Sequence, residues 1–487
     1  MSVEAPIQSG ERDESLRMVV GGVTLPMTQA LLAKYNVQGP RYTSYPTAPE
    51  WSPEVGREEA ERAYRDANAA SLPKPVSLYL HLPFCEEQCW FCGCFMKVVP
   101  RPSREEERGE IETYLGDLHR EIDVVADRID RSRPVVQVHW GGGTPTYLTV
   151  KQIARLADHL FGRLPLAPGA EVSVEVDPRV TSGEHLAVLR AHGFNRISLG
   201  VQDLDPAVQE LCNRVQSAEL TRALVEGARN LGFSSINIDL IYGLPGQRRE
   251  SFGGSVDEIV ALRPDRVAMY SYAHVPWLKR PQKVMEAHLP EGAEKFRIFI
   301  TGIEKFTAAG YRYIGMDHFA LPHDELVIAQ EDRTLHRNFQ GYTTRAGTDL
   351  YGMGVSAIGS VAGRYLQNEK AYDAYAAAVR SGNVATFRGF VCRPEDDLRR
   401  DVIERILCHG VVVKEEIARR HGVRFDEHFA AEIARLGDLE RDGMVEVGAG
   451  EIRVTPLGRI FVRNVAMVFD AYLARLEGRP KVFSRTL

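Results

Sequence analysis

VSLYLHLPFCEEQCWFCGC, residues 76–94, reads as a strand that runs straight into a cysteine loop. On Val76–Leu82 the apolar set Val76, Leu78, Leu80, Leu82 alternates with Ser77, Tyr79, His81, the two-residue period of a strand. The same pattern recurs downstream. VVQVHW (135–140), EVSVEV (171–176), RISLGV (196–201), SINIDLIY (235–242) and RVAMYSY (266–272) are strand-like runs, with helical spacers between them such as 105–129, 149–163 and 217–231. Six βα units in series predict a parallel sheet with helices outside it. Right-handed crossovers then permit a partial or complete barrel.

The alternation also assigns faces. Val172, Val174 and Val176 oppose Ser173 and Glu175; Ile236, Ile238 and Leu240 oppose Asn237 and Asp239; Ile197, Leu199 and Val201 oppose Ser198, Gly200 and Gln202. A barrel whose centre is packed carries branched apolar residues inside, and carboxylates are seldom buried without partners. The polar faces therefore predict a wide lumen that holds a ligand. The alternative is an antiparallel sheet with one solvated side, against which the helical spacers speak.

Around this centre the chain is less regular. Residues 1–70 form a polar leader ending in an arm, in which GPRYTSYP (39–46) cannot be continuous helix because of its two prolines. Residues 71–390 hold the barrel and an extension; beyond about 330 the strand–helix rhythm stops, in a Gly-, Thr- and aromatic-rich stretch. Residues 391–487 are mostly helical, with a helix, an Asp442-Gly443 turn and two short strands (444–447 and 451–455) that make a winged-helix-like pattern.

Bulk properties narrow the function. The chain has 487 residues, 44% hydrophobic and 26% charged, which suits a large globular domain plus a smaller one. A net charge of -6 argues against a nucleic-acid binder, and Glu427, Glu432, Asp438 and Glu440 interrupt any basic face on the winged-helix-like region. No run of about 18 apolar residues and no signal peptide is evident. The expectation is a cytoplasmic protein with no membrane span. Thiols stay reduced there, so clustered cysteines point to metal or redox work.

Four of the seven cysteines lie between 85 and 94. Thiolates are soft ligands for iron–sulfur clusters or zinc. Structural zinc needs a fourth, closing ligand, usually from a second pair, and no second C-x-x-C is present. Cys85, Cys89 and Cys92 can instead bind three irons of a cubane and leave the fourth open. Cys212, Cys392 and Cys408 are read as small buried hydrophobes. Gly141-Gly142-Gly143 ends the second strand, on the rim where βα folds bind ligands and where glycine lets backbone approach closely. Glu175 and Asp239 could hydrogen-bond ribose hydroxyls or amino groups, or form a buried ion pair with Arg196 or Arg214.

The C-x-x-x-C-x-x-C spacing after a barrel strand resembles the radical S-adenosylmethionine superfamily. Within it, YLHLPFCEEQCWFCGC, VHWGGGTPTYL, EVDP, ISLGVQD, NRVQ, NIDLIYGLPGQ, YAHVP, IGMDHFA and LHRNFQGYTT, in order through residues 41 to 365, resemble the oxygen-independent coproporphyrinogen III oxidase family. The resemblance implies an α/β fold, a partial (β/α)6 radical barrel. It also implies a [4Fe-4S] cluster on Cys85, Cys89 and Cys92, its open iron chelated by S-adenosylmethionine. An electron passed into the sulfonium yields a 5′-deoxyadenosyl radical, which takes hydrogen from a propionate β-carbon of coproporphyrinogen III. Two propionates become vinyl groups, giving protoporphyrinogen IX in haem biosynthesis, with two S-adenosylmethionine molecules used.

By motif, Tyr79, Gly142, Glu175 and Ile358 match positions contacting the cluster-bound S-adenosylmethionine. Phe91, Gly143, Thr144, Gln202, Arg214, Asp239 and Ala273 match those contacting a second one. The resemblance gives catalytic roles to Tyr79, Cys94, Phe339 and Gln340, leaves Cys94 off the cluster, and lets the arm help cover the substrate. An electron donor such as flavodoxin or ferredoxin and a monomeric state are implied too. Arg41, Lys97 and Arg214, in or beside the motifs, are candidate partners for substrate carboxylates. Two relatives stand as alternatives: a haem-cleaving radical methyltransferase, and haem chaperones, which resemble C-x-x-x-C-x-x-C-x-F where this chain has Cys94, and which lack the GPRYTSYPT segment present here.

Replacing Cys85, Cys89 or Cys92 singly with Ala is expected to abolish cluster binding, read as iron content and charge-transfer absorbance after anaerobic reconstitution. A variant retaining the full iron content would remove that residue from the ligand set.

Overall fold

The computed structural model describes residues 16–20, 22–100, 109–476 and 483–486. At its centre are six parallel strands, β1 (Val76–Leu82), β2 (Val135–Gly142), β3 (Leu166–Val176), β4 (Arg196–Gln202), β5 (Ser235–Tyr242) and β6 (Arg266–Ser271). Each pairs in parallel with the next in chain order. Helices Gly109–Ala126, Val150–Arg163, Gly183–Ala191, Ala218–Asn230 and Arg249–Leu262 fall between them. The expected start of the first helix, 105–108, lies outside the described residues.

The βα rhythm and the side-chain alternation are as the sequence predicts. Val172, Val174, Val176, Ile236, Ile238 and Leu240 are buried under the helices, while Ser173, Glu175, Asn237 and Asp239 are half-buried on the other face. Burying a branched aliphatic side chain stabilises by about 1.5–3 kcal/mol, so a one-residue slip would invert each strand at heavy cost. Trp140, fully buried, packs edge-on against Phe194 at 4.9 Å between ring centroids and anchors the helical layer.

The sheet does not end at six strands. Beyond β6 lie β7 (Arg312–Gly315) and β8 (His318–Ala320), with β8 antiparallel to β6. Beyond β1 lie β9 (Asp349–Met353), parallel to it, and then β10 (Ile358–Val361), β11 (Arg364–Asn368) and β12 (Thr386–Val391), all antiparallel. The twelve-stranded order is β7-β8-β6-β5-β4-β3-β2-β1-β9-β10-β11-β12. Among the described residues β1 and β6 each pair with added strands rather than with each other, so the six-strand barrel is partial. The glycine-rich 349–361 stretch gives no alternation from which these strands could be read. Gly352 has a steric role, because a Cβ there would meet the Ile358 carbonyl at 2.5 Å.

The arm is pinned from several sides. Arg41 pairs with Asp317 at 2.7 Å; Tyr42 donates to Asp470 at 2.9 Å; Tyr365 donates to the Tyr45 carbonyl at 3.1 Å; Arg463 donates to the Gly39 and Pro40 carbonyls. The arm thus lies against the sheet extension and the C-terminal region together. In that region helix Ala430–Arg441 precedes strands Val445–Val447 and Glu451–Val454, as the winged-helix-like pattern predicts. A third strand, Val411–Val413, joins them.

The sheet extension is tied to the barrel by Arg133 and Asp349, paired at 2.5 Å with side chains only 1% and 4% exposed. Asp349→Ala strands a buried guanidinium and is expected to cost about 3–5 kcal/mol, measured as the shift in the urea unfolding curve. An unchanged curve would show that the pair ties nothing down.

Candidate active site

Leu82 ends β1, and the next residues turn over the C-terminal rim of the sheet. Cys85, Cys89 and Cys92 all lie on this loop. The loop is held through its backbone. Trp90 N donates to the Cys212 carbonyl at 3.0 Å and Cys92 N to the Cys89 carbonyl at 3.1 Å. Asn213 donates to the Gln88 carbonyl at 2.9 Å, Gln282 to the Phe91 carbonyl at 3.2 Å and Lys279 to the Cys94 carbonyl at 3.0 Å.

The three thiols have different surroundings. Burial pushes the Cys85 thiol up to about 12, although Thr144 Oγ1 sits 3.6 Å from its sulfur. Cys92 is held down at about 6 by its hydrogen bond with Cys94, against the effect of burial, and the same contact drives the Cys94 thiol well up. Cys89 faces two guanidiniums, Arg214 Nη1 at 3.4 Å and Arg179 Nη2 at 3.6 Å, both tethered by Asp177 at 2.9 and 2.7 Å.

The glycine rim packs against this loop. Gly143 N donates to the Leu82 carbonyl at 2.9 Å and Thr144 N to the Phe84 carbonyl at 2.8 Å. A Cβ at Gly143 would meet Pro83 and Phe84 backbone at 2.6–2.8 Å, and one at Gly142 (φ +113°) would meet the His81 ring at 2.5 Å. No other residue type fits at these two positions.

Glu175 accepts from Gly142 N at 3.1 Å and contacts His139 at 3.4 Å, with 44% of its side chain still open to the lumen. Burial raises its carboxyl, but the hydrogen bonds from His139 and Gly142 N outweigh that and hold it below the usual range. Asp239 behaves oppositely. Burial first, and then the neighbouring Glu175, push it up to about 7 even though Asn237 and Ser198 donate to it at 2.7 and 3.1 Å. The alternative of a buried ion pair fails for both: Arg214 pairs with Asp177, and Arg196 with Glu171 and Glu325.

Tyr79 stacks on His139 at 5.9 Å and shares a 3.0 Å hydrogen bond with His81 Nδ1. His81 Nε2 lies 2.9 Å from the Phe95 carbonyl, which can only accept. Burial keeps this imidazole neutral, so Nδ1 accepts and the Tyr79 hydroxyl donates. Gln202 ends β4 at φ +70°, a backbone region costly for a non-glycine residue and frequent at ligand sites. Ala273 is joined to Phe91 by Gln282, whose amide donates to both carbonyls at 3.2 Å. Ile358 is half-buried on β10, with its backbone against Gly352. Phe339 and Gln340 lie at the tip of a hairpin formed by His336–Asn338 and Gly341–Thr343. Gln340 lines the lumen cavity.

Three features depart from the sequence reading. The candidate carboxylate partners Arg41, Lys97 and Arg214 each face a carboxylate of the protein already, Asp317, Glu110 and Asp177 respectively. The carboxylates facing Arg41 and Arg214 are buried, whereas Lys97 and Glu110 are each 55% exposed and their pairing is screened by water. Asp177 and Arg179, in the EVDP-R run, and the tether Gln282 were not singled out; their signal is the position of Asp177 at the end of β3, two residues beyond Glu175 on the same period.

The donor set fits the groups the motifs imply. Soft thiols stand on one loop beside paired guanidiniums, and Arg214 Nε is buried without an acceptor, a donor left for a ligand. This sheet, with a three-cysteine loop on its C-terminal rim, defines a radical S-adenosylmethionine enzyme. Residues 79–259 match the Radical SAM superfamily and residues 393–461 the HemN C-terminal domain. The chain is 45% identical to the oxygen-independent coproporphyrinogen III oxidase of Salmonella typhimurium over 94% of its own length and 98% of the relative's. It is 39% identical to that of Synechocystis over 95% and 99%. The solved structure described as coproporphyrinogen III oxidase (HemN) from Escherichia coli, a Radical SAM enzyme, superposes with a TM-score of 0.85 at 43% identity, covering 91% of this chain and 99% of that one. The chain belongs to the oxygen-independent coproporphyrinogen III oxidase family.

Asp239 sets a pH signature. The folded state keeps a proton that the unfolded chain releases above about pH 4, so this group's stabilisation is full below that and is lost as pH rises to about 7. Asp239→Asn should remove that slope from the plot of thermal midpoint against pH. Identical slopes in variant and wild type would contradict the shift.

Proposed function

We propose that the chain decarboxylates two propionates of coproporphyrinogen III oxidatively to vinyl groups, without oxygen, yielding protoporphyrinogen IX. The observation that carries this reading is the meeting of three motifs at one rim, where Glu175 takes the Gly142 amide and Thr144 lies on Cys85. When bound, a [4Fe-4S] cluster with S-adenosylmethionine on its open iron supplies one-electron cleavage of a carbon–sulfur bond and, through it, hydrogen-atom abstraction.

The chain's own residues divide the remaining work. Cys85, Cys89 and Cys92 would hold the cluster, and Cys94 would stay off it. Arg179 and Arg214 donate to the Cys89 sulfur and lower its negative charge. Gly142 and Gly143 let the backbone reach the cofactor. Glu175, held low, would accept from its amino or ribose donors, and Ile358 and Tyr79 would border it. Tyr79 is held in orientation by His81. Asp239, which keeps its proton near neutrality, can donate where Glu175 can only accept.

A second S-adenosylmethionine, against Phe91, Gly143, Thr144, Gln202, Arg214, Asp239 and Ala273, belongs to this proposal. So do Phe339 and Gln340 as substrate-side residues, a flavodoxin- or ferredoxin-like electron donor, a monomeric state, a cytoplasmic location, and the division into 1–70, 71–390 and 391–487. No helix among the described residues is long and apolar enough to cross a membrane.

Anaerobically reconstituted protein given coproporphyrinogen III, S-adenosylmethionine and a reductant is expected to form protoporphyrinogen IX, methionine and 5′-deoxyadenosine, with two 5′-deoxyadenosines for each protoporphyrinogen. Stable haem binding without vinyl product would favour a chaperone instead.

A further inference from the structure

The hairpin that carries Phe339 and Gln340 separates two spaces. Gln340 lines the lumen, whereas Phe339 lines a second cavity under the arm, bounded also by Tyr365 and Arg400. This cavity is walled by aromatic rings: Phe339 and Tyr365 meet edge-on at 5.5 Å.

Its polar chemistry is one-sided. The two carboxylates in the wall are committed, Asp349 to Arg133 at 2.5 Å and Glu404 to His336 and Arg337 N, each at 2.9 Å. Arg400 has Asp397 at 2.5 Å. Among the described residues neither Arg337 nor Arg345 has a carboxylate at salt-bridge distance; Arg337 lies over the Tyr342 ring at 4.9 Å, and Arg345, with Glu325 in its field, gives Nη2 to the Gly169 carbonyl at 3.0 Å. Arg337 Nε and Nη1 and Arg345 Nε are buried with no hydrogen-bond acceptor at all. A buried donor left unmet costs about 1–3 kcal/mol, more when charged. Three such donors on two arginines that line one cavity point to an anion that the protein itself does not provide.

The cavity is also within reach of the chemistry. Ser360, in its wall, lies two residues along β10 from Ile358 and on the same strand face. That places it about 7 Å from the edge assigned to S-adenosylmethionine, a span a tetrapyrrole can bridge.

We propose that this cavity is a carboxylate site, in which Arg337 and Arg345 hold propionates of the tetrapyrrole other than the one reacting. The proposal rests on the substrate reading above. A guanidinium fork matches a carboxylate in two parallel hydrogen bonds, and the aromatic walls suit pyrrole rings. Such a site adds cations beyond Arg41, which already has Asp317 at 2.7 Å.

The test titrates reconstituted holoenzyme with coproporphyrin III, the fluorescent oxidised form of the substrate, and with its tetramethyl ester. Arg337→Gln and Arg345→Gln should each weaken coproporphyrin binding by about ten- to hundredfold, with iron content and S-adenosylmethionine affinity unchanged. The ester should bind wild type and variants alike, and weakly. Arg337→Lys should recover part of the loss, since charge returns without the fork. Should Arg337→Gln disturb the hairpin and lose iron, Arg345→Gln, outside the hairpin strands, decides alone. Folded variants that bind coproporphyrin as tightly as wild type overturn the site while the substrate reading stands. Wild type that neither binds coproporphyrin nor converts coproporphyrinogen overturns that reading, and the site with it.

Discussion

The two-residue period of a strand forces Glu175 away from Val174 and Val176, and Asp239 away from Ile238 and Leu240. Because the valines, isoleucines and leucines must lie under the helices, the carboxylates have only the lumen to occupy. The rest of the site depends on this division. It aims Glu175 at the glycine rim, where Gly142 N meets it, and it leaves Asp239 pushed up to about 7 by burial first and then by Glu175. Two carboxyls on strands β3 and β5, with β4 between them, are thereby shifted in opposite directions, one down and one up to about 7.

The cysteine loop illustrates a second constraint. This loop makes little regular hydrogen bonding of its own, so its carbonyls need partners from elsewhere. Asn213, Lys279 and Gln282 provide them from the loops after β4 and β6. Gln282 is the most economical of these, because its one amide joins the Phe91 and Ala273 carbonyls and its oxygen accepts from Val275 N at 2.7 Å. The Asp177–Arg179–Arg214 group acts alongside them. A carboxylate between two guanidiniums fixes both at the Cys89 sulfur, and charge-assisted hydrogen bonds of this kind are about twice as strong as neutral ones.

The arm and the C-terminal region form the other half of the enclosure. Tyr42 and Tyr45 are buried with their polar atoms satisfied by Asp470, Ala471 and Tyr365. An extended segment cannot hydrogen-bond itself, so it becomes stable only where side chains from two other regions complete it. Removing either region would leave its backbone and tyrosines unmet. The sheet extension from β9 to β12 belongs to the same arrangement, since its Tyr365 and Trp51 of the arm-side segment stack at 5.5 Å.

The sequence by itself determined the six parallel strands, their inner and outer faces, the cysteine loop and the glycine rim, because each rests on a local period or spacing that neighbouring residues carry between them. The helix and hairpin of the C-terminal region were legible for the same reason. Only the tertiary structure decided which charges pair. Arg41 finds Asp317, 276 residues away along the chain, and Arg214 finds Asp177 rather than Glu175. It also decided that 349–391 continues the sheet, since short glycine-rich strands carry no periodic signal and form by pairing with an edge already present. Electrostatic partners and strand pairings of this kind are set by proximity in space, which no local pattern encodes.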